Sequence, residues 1–199
     1  VLVESVICIL GVPMASVIAV IASAGMAVGL ALQGGLSNLA GGIMLVVFRP
    51  FNVGDLINAA GVEGIVQDIT LFYTKLQTLD NLSITIPNGT LMNANVTNFT
   101  AYTNRRMDIA FSIAKDSDID KVEAAMVEVM KNAVLTLKEE EFTPVAFVSG
   151  GSNEGMEITA RCWVNPNDYC AANAEVTEGI TRAFGKMGVQ APAVRVLTK

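Results

Sequence analysis

Between Glu4 and Arg49 the chain carries no charged residue. This constrains the fold more than any other feature, because a soluble domain needs charged side chains on its surface and a bilayer core excludes them. The segment holds much of the apolar weight of a 199-residue sequence that is 52% hydrophobic, with mean hydropathy +0.49. After Arg49, Lys, Arg, Asp and Glu recur regularly. The sequence therefore divides into an N-terminal membrane part and a C-terminal soluble part. It does not start with Met and is apolar from its first residue, so it reads as part of a longer chain. No basic stretch marks a signal peptide.

Residues 1–12 read as the end of a preceding transmembrane helix and a tight turn, with Gly11 in the turn and Pro13 in the first turn of a new helix. Residues 13–50 read as one kinked helix. Its uncharged run over 14–33 would be about 30 Å long, the thickness of the hydrocarbon core. This run is rich in Ala, Gly and Ser, where a lipid-facing anchor would carry Leu, Ile and Phe; small residues let helix backbones approach closely in membranes.

At ~100° per residue, Ala15, Ala19, Ala22, Met26, Leu30 and Gln33 share one face, and Ser23 is counted with this lining set. Gly25 and Gly29 lie on one flank, Ala27 and Ala31 on the other. Glycine and alanine flanks are complementary, so copies of the helix can pack side by side around an axis. The alternative is a tightly packed helix in a monomeric bundle, and the pattern leaves both open. In a pore, the only bulky residues on the lining face would be Met26 and Leu30, one turn apart. Two apolar rings make a constriction that closes by dewetting. Gly34 and Gly35 predict a kink, with Gly42 as a further candidate. The segment 36–48 is expected to lie at an angle in the interface or to continue the span.

Residues 51–103 read as a small β-domain of five short strands, with turns at Gly61, Asp80-Asn81 and Asn88-Gly89. Gly54-Asp55 reads as a turn rather than a ligand loop. Residues 104–190 read as a ferredoxin-like α/β domain and residues 191–199 as a C-terminal strand, which completes the order β-α-β-β-α-β. Ser117-x-x-Asp120 is taken as a capping box opening a helix over 119–137, with an apolar stripe of Val122, Ala125, Met126, Val129, Met130 and Val134. Residues 138–141 read as a solvated helix end. Arg105-Arg106 is a surface strand start, or a basic pair facing lipid or a vestibule.

The chemistry-bearing residues are sparse. There is no His, which removes His-based catalysis and His metal sites, and the three cysteines show no disulfide or zinc spacing. The glycines of 34–42 are not followed by the Lys of a phosphate loop, and no nucleophile elbow occurs. No catalytic residue, metal site or cofactor is expected, and the chain reads as a non-enzyme. A net charge of −6 argues against nucleic acid as partner. The sequons at Asn81, Asn88, Asn95 and Asn98 read as turn and strand-edge chemistry. The alternative functions are a membrane-anchored Sm-like binding module, for instance for RNA, or a scaffold without conductance.

The stretch SVIAVIASAGMAVGLALQGGLSNLAGG over 16–42, with RPFNVGD over 49–55, resembles the pore helix and its exit in the small-conductance mechanosensitive channel (MscS) family. IPNG at 86–89 and DSDID at 116–120 are also similar to that family's soluble part. The resemblance implies a pore-lining transmembrane helix, an Sm-like β-barrel domain and a ferredoxin-like C-terminal domain. It also implies two upstream tension-sensing helices and a homoheptamer with a cytoplasmic vestibule pierced by portals. It implies a multi-pass protein of the bacterial inner membrane, with its C-terminal domain in the cytoplasm. Its partners would be membrane lipids, permeant ions and small osmolytes released in hypo-osmotic shock. It puts gate rings at Met26 and Leu30 and the kink at Gly34. The chain departs from the family with Met26 where Leu is frequent, and with Gly35 and Gly41 where Ser and Ala are common. The family's last strand joins a small barrel of one strand per subunit, which would fall on 193–197.

Overall fold

The computed structural model describes residues 13–151 and 155–192. The expected preceding helix end over 1–12 and the strand over 193–197 lie outside the described residues, as does Cys8. The chain divides into two units, Val1–Asn98 and Phe99–Lys199.

In the first unit, helix α1 (Met14–Phe48) runs as one α-helical segment through Gly34-Gly35 and Gly41-Gly42. Each interior Gly costs a helix about 1 kcal/mol relative to Ala. Arg49 ends the helix in the left-handed region (φ 47°) while its N–H still donates to the Leu45 carbonyl at 3.0 Å; Pro50 cannot continue the ladder.

Five antiparallel strands follow: β1 (Leu56–Ala59), β2 (Val62–Ile69), β3 (Tyr73–Gln77), β4 (Ser83–Pro87) and β5 (Val96–Asn98). Their order is β4-β3-β2-β1-β5. The expected barrel is not closed: β4 and β5 are the two edges of an open sheet. The connection between them holds a six-residue helix, α2 (Asn88–Asn93), and β5 is only three residues long. The β1–β2 hairpin turns through Ala60 and Gly61, both at positive φ, the two-residue turn that matches strand twist. Asn88-Gly89, expected as a turn, instead opens α2. Gly54-Asp55 is a turn, with the Asp55 carboxylate accepting from Asn52 N–H and Asn98 Nδ2, each at 2.8 Å.

The core of this unit gathers Ile57, Ala59, Val66, Leu76 and Ile86 from the sheet with Leu91 of α2, Phe51 and Leu45. Burying a Leu side chain of this kind contributes about 2 kcal/mol. The sequence reading set a boundary between 50 and 51, yet Leu45 and Phe51, on either side of it, share this core.

The second unit orders its described elements as β6 (Arg105–Ala114), α3 (Ile119–Asn132), β7 (Val145–Gly151), β8 (Gly155–Val164) and α4 (Tyr169–Met187). The antiparallel sheet order is β6-β8-β7. Both helices cover one face, and Met107, Ile113, Ile158, Ala160 and Cys162 meet Val122, Met126, Met130, Val176 and Ile180 in a two-layer core. Burial pushes the Cys162 thiol up to about 11, so it stays protonated at neutral pH.

Helix α3 departs from expectation at both ends. Its cap is Asp118, whose carboxylate accepts from Lys121 N–H at 3.3 Å, rather than the Ser117 box. It stops at Asn132, so Val134 falls off the stripe and is exposed. Lys138 is no free solvated end: its ammonium donates to the Lys131 carbonyl at 2.6 Å and the Thr136 hydroxyl at 2.7 Å, placing a cation on the helix C-terminus. Arg105 stacks over the rings of Tyr169 (3.7 Å) and Phe99 (4.6 Å).

Across β6 and β8, Arg161 grips Asp108 with two hydrogen bonds, Nε at 2.8 Å and Nη2 at 2.9 Å. These, with Arg106 at 3.3 Å, hold the Asp108 carboxyl below its ordinary value. A depressed folded-state value stabilises the fold above the unfolded value, ~3.9, and that contribution is lost as pH falls through the folded value. The expected result is that Asp108→Asn flattens the acid limb of the second unit's stability profile. Acid titration of unfolding beside wild type checks it, and identical limbs would count against the pair.

Candidate pore helix and its joint with the β-domain

Most of the first part of α1 is left exposed among the described residues. It contains a window of mean hydropathy 2.2 with no buried residue, long and apolar enough to cross a membrane. Ala15, Ala19, Ala22, Ser23 and Gln33 of the lining set are exposed, as are Met26 at 70% and Leu30 at 65%. The packing residues Gly25, Ala27, Gly29 and Ala31 are exposed too. A Cβ built on Gly25, Gly29, Gly34 or Gly35 would meet nothing within 4 Å. The Ser23 hydroxyl donates to the Ala19 carbonyl one turn back at 2.7 Å, so it is satisfied by its own helix.

The C-terminal part of α1 behaves differently. Asn38, Gly41, Gly42 and Leu45 follow helical spacing and form one face, against which the β-domain sits. A Cβ on Gly42 would lie 2.2 Å from the Leu71 carbonyl oxygen and 2.6 Å from Asn88 Nδ2; one on Gly41 would lie 2.7 Å from the Asn88 backbone carbon. Only glycine allows this approach. Gly42 is therefore a close-packing residue, not merely a candidate kink.

Asn88 is the centre of the joint. Fully buried, it accepts from the Thr74 hydroxyl at 2.8 Å, donates Nδ2 to the Thr70 carbonyl at 2.8 Å and donates its N–H to the Phe72 carbonyl at 3.0 Å. Asn38 on α1 accepts from Gly89 N–H at 3.0 Å, at the start of α2. Among the described residues no buried side-chain polar atom lacks a partner. Removing the Asn88 side chain strands the Thr74 hydroxyl and the Thr70 carbonyl, so Asn88→Ala is expected to cost about 2 kcal/mol. Hydrogen exchange checks it: the amides around 70–74 and 88–91 should lose protection, and unchanged protection would contradict the assignment.

The two faces of α1 are distinct. At ~100° per residue the β-domain face is centred about 70° around from Leu30 and about 110° from Met26, and the joint leaves both side chains exposed. The sequence reading missed Asn38, Leu45, Leu71, Thr74 and Asn88 as members of the joint. The 38-41-42-45 spacing was a usable signal. The buried role of Asn88 was not, since Asn-Gly ordinarily marks a turn. Among the described residues no three His, Cys, Asp or Glu side chains are grouped to hold a metal ion.

The sequence pattern of the family described as "Mechanosensitive ion channel, beta-domain" matches residues 35–101, beginning inside α1 and so spanning the joint. An MscS family protein of Buchnera aphidicola subsp. Baizongia pistaciae is 40% identical over 84% of this chain and 58% of its own length. The small-conductance mechanosensitive channel of Edwardsiella ictaluri is 39% identical over 85% of this chain and 59% of its own length. The chain thus spans about three-fifths of these curated relatives. The crystal structure of Helicobacter pylori MscS in its closed state matches with TM-score 0.86 and 28% identity, over 96% of this chain and 76% of that one. Arabidopsis thaliana MSL1 shares the fold, with TM-score 0.76 at 23% identity over 92% of this chain and 68% of that one. With its long uncharged helix, the glycine joint and these relatives taken together, the chain belongs to the MscS family.

Proposed function

We propose that the chain is part of a mechanosensitive channel subunit that opens under membrane tension and releases ions and small osmolytes in hypo-osmotic shock. One observation carries this reading: a long uncharged helix whose apolar surface is left uncovered by the described residues. Such a surface needs lipid and further copies of itself. The Gly25–Gly29 and Ala27–Ala31 flanks supply the helix–helix packing, and Ala15, Ala19, Ala22, Ser23 and Gln33 then face the axis. Met26 and Leu30 form the closing rings. Gly34 and Gly35, uncrowded by their own chain, are the places where the helix can bend. The joint at Gly42 anchors the far end to the β-domain.

The same reading makes the assembly a homoheptamer in the bacterial inner membrane, multi-pass once upstream helices are included, with the soluble units in the cytoplasm. The open five-stranded sheet is Sm-like, and its edge strands are then covered by neighbouring copies. The second unit is ferredoxin-like once a last strand is added. The chain acts without catalysis or cofactor. No specific observation favours the RNA-binding or non-conducting scaffold alternatives. The test is survival: the full-length protein should rescue channel-deficient bacteria from hypo-osmotic shock, and expression without rescue would count against the reading.

A further inference from the structure

We infer that Met26 is an oxidation site through which peroxides ease opening of the pore, a statement that rests on the channel reading above. Met26 is 70% exposed in the single chain, whereas Met107, Met126 and Met130 are fully buried in the second unit's core. Its neighbours one turn away on the same face are Ala22 and Leu30, so it sits among apolar side chains where one added polar atom changes the character of the ring most.

The chemistry balances without any further reactant. A lone pair on Met26 Sδ attacks one oxygen of hydrogen peroxide and an S–O bond forms. The O–O bond breaks, the departing hydroxide takes the bonding pair and the proton of the transferred hydroxyl, and water leaves. Sulfur is oxidised by two electrons and the peroxide is reduced. The product sulfoxide is polar and is reversed by methionine sulfoxide reductases. A polar ring holds water where an apolar one expels it, so oxidation acts in the same direction as a serine substitution at this position. Leucine at 26 has no oxidisable atom, which makes the sensitivity specific to a chain carrying Met there. Met44, Met92 and Met187 are also exposed, but Met44 lies about 27 Å further along the helix and the other two lie outside it.

The experiment records full-length protein in membrane patches before and after hydrogen peroxide, each variant against its own untreated baseline. Peptide mass reads the gain of one oxygen, about 16 Da, at Met26. The expected result is a threshold shifted to lower tension, restored by methionine sulfoxide reductases, equal in Met44→Leu and absent in Met26→Leu. Three results would overturn the inference: an unshifted threshold when Met26 carries the oxygen, an equal shift in Met26→Leu, or an unmodified Met26 when Met44 is oxidised. If untreated patches carry no tension-activated current, the channel reading itself fails and takes the inference with it.

Discussion

Gly42→Ala is expected to destabilise the first unit by about 3 kcal/mol, at the upper end of what overpacking usually costs. The new methyl would sit 2.2 Å from the Leu71 carbonyl oxygen and 2.8 Å from its carbon, both backbone atoms of the turn between β2 and β3. Neither can rotate away as a flexible side chain would. The third neighbour, Asn88 Nδ2 at 2.6 Å, is held by the Thr70 carbonyl, so its displacement costs a buried hydrogen bond. The helix end must therefore move off the sheet, and Leu45 leaves the core with it. Gly34→Ala is the matched contrast: its Cβ meets nothing in its own chain, and the substitution should favour the helix by about 1 kcal/mol. Thermal unfolding of the full-length protein in detergent should separate the two variants. Equal midpoints would show that the joint is not the close contact described.

Leu30→Ser is expected to lower the tension needed for opening, and Met26→Ser to do so in the same direction. Each replacement exchanges an apolar side chain on the constriction for a hydroxyl. That removes about 2 kcal/mol per subunit of preference for a dry, closed ring, and the effect multiplies around a symmetric assembly. Both side chains are exposed, so folding of the soluble units should be unaffected. Patch recordings comparing the threshold of each variant with wild type check this, and unchanged thresholds in both would remove Met26 and Leu30 as the gate.

Much of the architecture was readable from sequence period and punctuation. The uncharged run announced α1 because burying charge in lipid is costly. Gly61 marked a hairpin because two consecutive positive φ angles need a permissive residue. The stripe Val122-Met126-Met130 placed α3 on its sheet. Other features depended on distant partners. Gly41 and Gly42 look like helix breakers in isolation, and only the approach of Leu71 and Asn88 turns them into packing residues. Lys138 belongs to a charge run in sequence, yet the α3 carbonyls that it caps are reached only after the chain bends back at Val134-Leu135. Barrel closure needs an edge partner for β4 and β5, and no local pattern in one chain supplies it. The face of α1 proposed to line a pore is a pattern in the sequence, and what that face meets depends on other copies of the chain.

In the proposed channel, α1 lines a tension-gated pore. The most direct measurement is current from purified full-length protein in liposomes under stepped suction. A pore lined by α1 gives channels that are silent at rest and open as tension rises. Membranes that hold verified, folded protein and stay silent up to lysis would contradict it.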